Sequence, residues 1–80
     1  MKLYNHNGLC NCSGSRIRFA REKAGLSQEQ LAAKVQLSGI EATQKTVSRI
    51  ETGARVVPDY ELAFYADALG VDILWLLGRD

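Results

Sequence analysis

Eighty residues make one small domain. A chain this short buries only about 60% of its unfolded surface, which excludes a cofactor fold carrying a separate regulatory domain. The composition, 46% hydrophobic and 24% charged, is that of an ordinary globular chain. With no apolar run near the ~20 residues of a membrane span and no apolar leader, a cytoplasmic protein that does not enter the membrane is expected.

Net charge is only +1, but it is divided. Residues 1–50 hold eight Lys or Arg against three Glu, and residues 51–80 hold two Arg against six acids. A chain split this way is expected to turn its basic part toward a polyanion.

Taken in chain order, residues 1–14, "MKLYNHNGLCNCSG", show no helical or strand period and read as a flexible arm before a domain spanning 15–80. The arm carries His6, Cys10 and Cys12. Three candidate ligands on a loose tail fall short of a closed four-ligand site, so no metal is expected. The two cysteines are too close to make a good disulfide. "SRIRFAREKAG" predicts a first helix, with Ser13 or Ser15 as N-cap and Gly25 as terminator. Ile17, Ala20 and Ala24 share one stripe, Arg16, Arg18, Arg21 and Lys23 take most of the rest, and Phe19 lies off the stripe.

"LSQEQLAAKV" predicts a second helix that opens with a capping box, Ser27 with Gln30, and a staple from Leu26 to Leu31. Leu31, Ala32 and Val35 form its buried stripe. "QLSGIEA" reads as loop. Thr43 then caps a third helix, "QKTVSRIET", closed by Gly53, with Val47 and Ile50 inward and Gln44, Lys45, Ser48 and Arg49 outward. A fourth helix follows Pro58, with Asp59 and Glu61 in its first turn and Leu62, Tyr65, Ala66 and Leu69 as its stripe. Asp72 caps a last short helix, "ILWLLG". The expected fold class is all-α.

Two short helices joined by a turn, the second with a polar leading face, form a helix-turn-helix. Such a helix fits the major groove of DNA, where Gln reads adenine, Lys or Arg reads guanine, and a Thr methyl meets the thymine methyl. Its first amides point toward phosphate.

"RIRFAREKAGLSQEQLAAKV", "TVSRIETG" and "ELAFYADALGVDILWLL", in that order, resemble the phage-repressor helix-turn-helix family, also described as lambda repressor/Cro-like or XRE. The resemblance covers residues 16–77. It implies a compact five-helix lambda-repressor-like DNA-binding domain. By the same resemblance, Gln44, Lys45 and Arg49 occupy base-reading positions, and Thr46 either joins them or touches phosphate. Gln28 is implied to hold a phosphate and brace the third helix, and Thr43 to be the capping hydroxyl that meets the DNA phosphate backbone. Ser48 and Arg55 are further implied phosphate contacts. Arg21 and Glu51 match a partly buried ion pair. The departure is the turn, for Ala32 and Val47 stand fifteen positions apart, several more than the family motif has. A longer surface loop costs little closure entropy, so the reading helix is expected to stay usable. Ser38 and neighbouring amides of the extra loop are placed to meet phosphate.

A single module touches few base pairs, so a homodimer on a double-stranded operator is expected. Trp75 matches a core tryptophan of the family. Ile73, Leu74 and Leu76 cannot all face inward and are the candidate dimer contacts. The implied function is that of a small prokaryotic or phage transcriptional regulator, a repressor in the first instance. The alternative is an antitoxin-like module whose partner is a toxin or another protein, met by the acidic C-terminal third. No Ser/His/Asp or Cys/His set and no phosphate-binding glycine loop is present, so neither an enzyme nor a cofactor is expected.

Overall fold

The computed structural model describes residues 5–79, so the expectations that fall on residues 1–4 and on Asp80 lie outside it. Five helices follow one another: α1 (Gly14–Lys23), α2 (Gln28–Gln36), α3 (Gln44–Glu51), α4 (Asp59–Leu69) and α5 (Ile73–Leu76). Among the described residues no helix is long and apolar enough to cross a membrane.

Each helix starts where a side chain or a proline can begin it. Ser27 Oγ accepts from the Gln30 amide at 3.0 Å while the Gln30 carboxamide accepts from the Ser27 amide at 2.8 Å, completing the capping box. Thr43 Oγ1 accepts from the Thr46 amide at 3.2 Å, and Asp72 caps α5 through the Leu74 amide at 2.8 Å. At the start of α1 neither serine supplies the cap. Ser13 is the N-cap residue but its hydroxyl makes no capping bond; the Asn11 carboxamide oxygen accepts from the Ser13 and Gly14 amides instead, at 3.1 and 2.7 Å. Gly53 ends α3 with φ of 80°, donating to Ile50 O, while the next amide, that of Ala54, reaches back to Arg49 O at 2.8 Å. That pair of bonds satisfies carbonyls the helix leaves open and needs a residue at positive φ.

The inward faces converge on one core. Ile17 of α1, Leu31 and Val35 of α2, Val47 and Ile50 of α3, Tyr65 of α4 and Leu76 of α5 have no exposure to solvent. Each aliphatic side chain among them contributes about 1.5–3 kcal/mol by leaving water. α3 packs on α1 and α2, α4 packs on the same two, and α5 closes against α1 and α4. The radius of gyration, 11.6 Å, is close to the ~12 Å of a folded chain this long. The Ile17–Ala20 part of the α1 stripe is buried, whereas Ala24 lies beyond the helix end and is exposed.

Three parts of the chain differ from the sequence expectations. Residues 9–13 lie against the domain, preceded by a tight turn. His6 and Leu9 exchange two backbone hydrogen bonds, of 2.7 and 3.0 Å, around Asn7 and Gly8, both at positive φ. This is the tight reversal that an Asn-Gly pair favours. The loop at 37–43 is anchored as well. Ala42 is buried, Ile40 packs on the core, and the Gln36 carboxamide donates to Ala42 O. Finally, Leu76 is fully buried, three positions after Ile73 on the inner side of a single helical turn. It is therefore removed from the candidate dimer contacts. Leu74 is the residue left outside, 51% exposed.

Tyr65 is buried with its hydroxyl unpartnered among the described residues. Burial, reinforced by Glu61 and opposed by Arg55, pushes its pKa up to about 12. Burial of an unpaired hydroxyl costs about 1–3 kcal/mol. Because the folded state favours the neutral phenol, the fold is expected to lose stability as pH rises from ~10 toward ~12. Tyr65→Phe is expected to be at least as stable as the parent at pH 7 and to unfold at higher pH in an alkaline titration followed by circular dichroism. A variant that tracks the parent through pH 10–12 would contradict this.

Candidate nucleic-acid interface

The outer face of α3 is set by the inner one. With Val47 and Ile50 in the core, the helical period turns Gln44, Lys45 and Arg49 to solvent and leaves Thr46 and Ser48 half-exposed. Lys45 and Arg49 form no ion pair with any described residue, so their charges face water. Thr43 Oγ1 occupies the Thr46 amide and lies 3.1 Å from Thr46 Oγ1. The amides of Gln44 and Lys45 precede the first helical hydrogen bond and point out of the helix end, where an anion is favoured.

This face is braced from below by a chain of polar contacts. Gln44 Nε2 donates to Gln28 Oε1 at 2.6 Å. Gln28 Nε2 donates to Glu51 Oε1 at 3.1 Å. Glu51, in turn, takes Arg21 in a two-pronged bond, Nε to Oε2 at 2.6 Å and Nη2 to Oε1 at 3.0 Å. Arg21 Nη1 donates to Leu26 O at 2.8 Å, which ties the α1–α2 connection into the same network. The Glu51 side chain is 2% exposed and that of Arg21 11%. The hydrogen bond that Arg21 donates to Glu51 raises the Arg21 pKa above its already high ordinary value, burial opposes it, and the charges of Glu51 and Glu22 add to the rise. Arg21 is thus a permanent cation and Glu51 its buried counter-charge.

Carboxamide valence leaves this network open on its outer side. Gln44 still has its oxygen and one N–H free, the pair that adenine N6 and N7 require. Gln28 keeps one N–H for an outside acceptor. α2 and α3 thus meet through their first residues even though residues 37–43 form a longer link than the usual 3–4-residue turn.

One family model, described as helix-turn-helix, matches residues 17–76, most of the chain. The chain belongs to the Cro/C1-type (XRE) helix-turn-helix family. This is a family of DNA-binding transcription regulators. No curated protein matches the chain in a sequence search.

Other residues of this helix-turn-helix stand apart from the Gln28–Gln44 cluster. Arg55 follows α3, is exposed, and has no ion pair among the described residues. Ser38 stands at the far end of α2, about 15 Å along the helix from Gln28. Its amide is already used, donating to Val35 O at 2.9 Å, and the Gly39 amide donates to Gln36 O at 3.0 Å. These amides are therefore not free to meet phosphate, and the site expected there is reduced to the Ser38 hydroxyl. Elsewhere, Trp75 is half-buried, with the Arg16 guanidinium 5.0 Å above its ring and Phe19 at 6.1 Å. Phe19, Leu69, Val71 and Trp75, with Lys23 and Asp72, line an open groove of about 500 Å³.

Sequence reasoning missed Asn11. Its side chain bonds to Ile50 O and Arg55 O, 39 and 44 residues away, and only the Asn-Gly turn before it hinted that this segment has structure.

Proposed function

We propose that this chain is a sequence-specific regulator that occupies an operator as a dimer and represses by excluding polymerase. The observation that carries the reading is the braced, outward-facing first turn of α3, with Gln44 held on Gln28 and Gln28 on a buried ion pair. Gln44, Lys45, Thr46 and Arg49 read base edges, since they are exposed or half-exposed on one face and chemically matched to adenine, guanine and thymine. Gln28, Thr43, Ser48 and Arg55 meet phosphates on either side. The cations of α1–α3 supply a salt-sensitive affinity that is independent of sequence.

The dimer contact in this proposal is the outer side of α5, centred on Leu74 and extended by Leu77, which is 39% exposed, with the half-buried Ile73 at its edge. Leu74→Glu is expected to leave the fold intact and abolish dimer formation in sedimentation. Dimers of undiminished affinity would remove α5 from the contact.

A second reading, an antitoxin-like module whose main partner is a protein, draws on the Phe19–Trp75 groove and the acids of α4. Selection of bound duplexes from a random pool, followed by affinity across salt, separates the two. A regulator is expected to enrich a two-fold symmetric site and to lose affinity steeply with salt. No enrichment and no salt dependence would favour the protein partner.

A further inference from the structure

Residues 9–14 run as a strap across the tail of α3. Leu9 lies so close over Gly53 that a Cβ there would fall 2.4 Å from Leu9 Cδ2. The Cys10 amide donates to Gly53 O at 2.8 Å. Gly14 comes nearer still, since a Cβ on it would stand 2.1 Å from Ile50 O. Between these contacts sits Asn11. Its Nδ2 donates to Ile50 O at 3.1 Å and to Arg55 O at 2.7 Å, and its Oδ1 accepts from the Ser13 and Gly14 amides. One carboxamide thus spends both donors and both lone pairs on main-chain groups. The orientation is fixed by its partners, because the flipped amide would set an oxygen against two carbonyls and an NH₂ against two N–H groups.

Those partners belong to three segments: the start of α1, the last turn of the recognition helix, and the residue that carries the Arg55 side chain. The last two are the parts that must hold a fixed spacing if base reading and a phosphate contact are to engage one duplex together. We propose that Asn11 is a positioning residue of the DNA interface, setting Arg55 in register with α3. The inference rests on the DNA-binding reading above and names a determinant from outside the matched family region, residues 17–76.

Two variants divide the roles of Asn11. Asn11→Asp keeps the acceptor that caps α1, where an anion is favoured, and replaces the donor by an oxygen facing two carbonyls. Asn11→Ser adds no charge, keeps a capping hydroxyl and is too short to span both carbonyls. Affinity for the parent's selected duplex is measured across salt for the parent, both variants, Arg55→Ala and the Asn11→Ser/Arg55→Ala pair. Circular dichroism confirms folding in each, and Asn11→Ser stands alone if Asn11→Asp does not fold.

Loss of one phosphate contact is expected to flatten the slope of log affinity against log salt by about 0.9, with a roughly tenfold weaker affinity at low salt. Both Asn11 variants should show it, Arg55→Ala should match them, and the pair should lose no more slope than Arg55→Ala alone. A merely structural role would weaken binding at unchanged slope and add to Arg55→Ala. Either result, or parental binding by both variants, overturns the role of Asn11. A parent that binds no duplex overturns the DNA-binding reading itself.

Discussion

Replacing Glu51 by alanine is expected to lower the unfolding free energy by about 3–5 kcal/mol, because it strands the Arg21 guanidinium in a buried site. A domain of this size has roughly 4–12 kcal/mol in total, so the variant should be close to half unfolded at physiological temperature or lose some 15–30 °C in Tm. The geometry supports the upper part of that range: the pair is two-pronged and both side chains are nearly excluded from water. Gln28 also loses its acceptor, so the damage extends to the brace under Gln44. Replacing both partners, Arg21→Met with Glu51→Leu, removes the stranded charge and should recover most of the loss. Urea unfolding of the three variants tests this. A Glu51→Ala cost below about 1 kcal/mol would show that the pair is solvated and contributes as little as a surface bridge does.

The second large effect concerns reading. Gln44→Ala and Lys45→Ala are each expected to remove about 1–3 kcal/mol of discrimination at one base position and to leave the others unchanged. Gln28→Ala should relax the same position as Gln44→Ala without touching a base, because the 2.6 Å bond between the two side chains is what holds Gln44 in place. The double variant should then show a coupling of about 0.5–3 kcal/mol at that position. Additive losses would show that Gln28 does not hold Gln44 in place, and unchanged preference in both Gln44→Ala and Lys45→Ala would show that the reading face lies elsewhere.

How far the sequence alone carries this protein can be judged residue by residue. The helices were legible because their signals are short-range. Ser27 and Gln30, Thr43 and Thr46, and Asp72 and Leu74 are caps closed within three residues. The spacing that turned Val47 and Ile50 inward also turned Gln44, Lys45 and Arg49 outward, so the expected reading face could be named from periodicity. The pairing of Arg21 with Glu51 came from the family resemblance, since nothing within either helix announces a partner 30 residues away.

Where expectation and structure part, the deciding contact is distant. α5 is apolar on nearly every side, so pattern could not choose between Leu74 and Leu76; packing against α1 and α4 buried one and left the other in water. Residues 5–13 carry no helical period, and polarity along the chain does not say what holds them. Their order comes from Asn11 meeting the far end of α3 and from Leu9 lying on Gly53, contacts invisible along the chain. The linker at 37–43 behaves likewise, its length legible but its anchorage through Ile40 and Ala42 set by the core.

By itself, then, the order of amino acids determined the helices, the caps of α2, α3 and α5, the inner faces of α2 and α3, and the family. Tertiary structure decided which leucine of α5 remains available, how the N-terminal strap is held, and that Gln44 reaches Gln28. The reason is range: caps and periodicities are settled among near neighbours, whereas a strap, a brace and a buried charge need groups that only folding brings together.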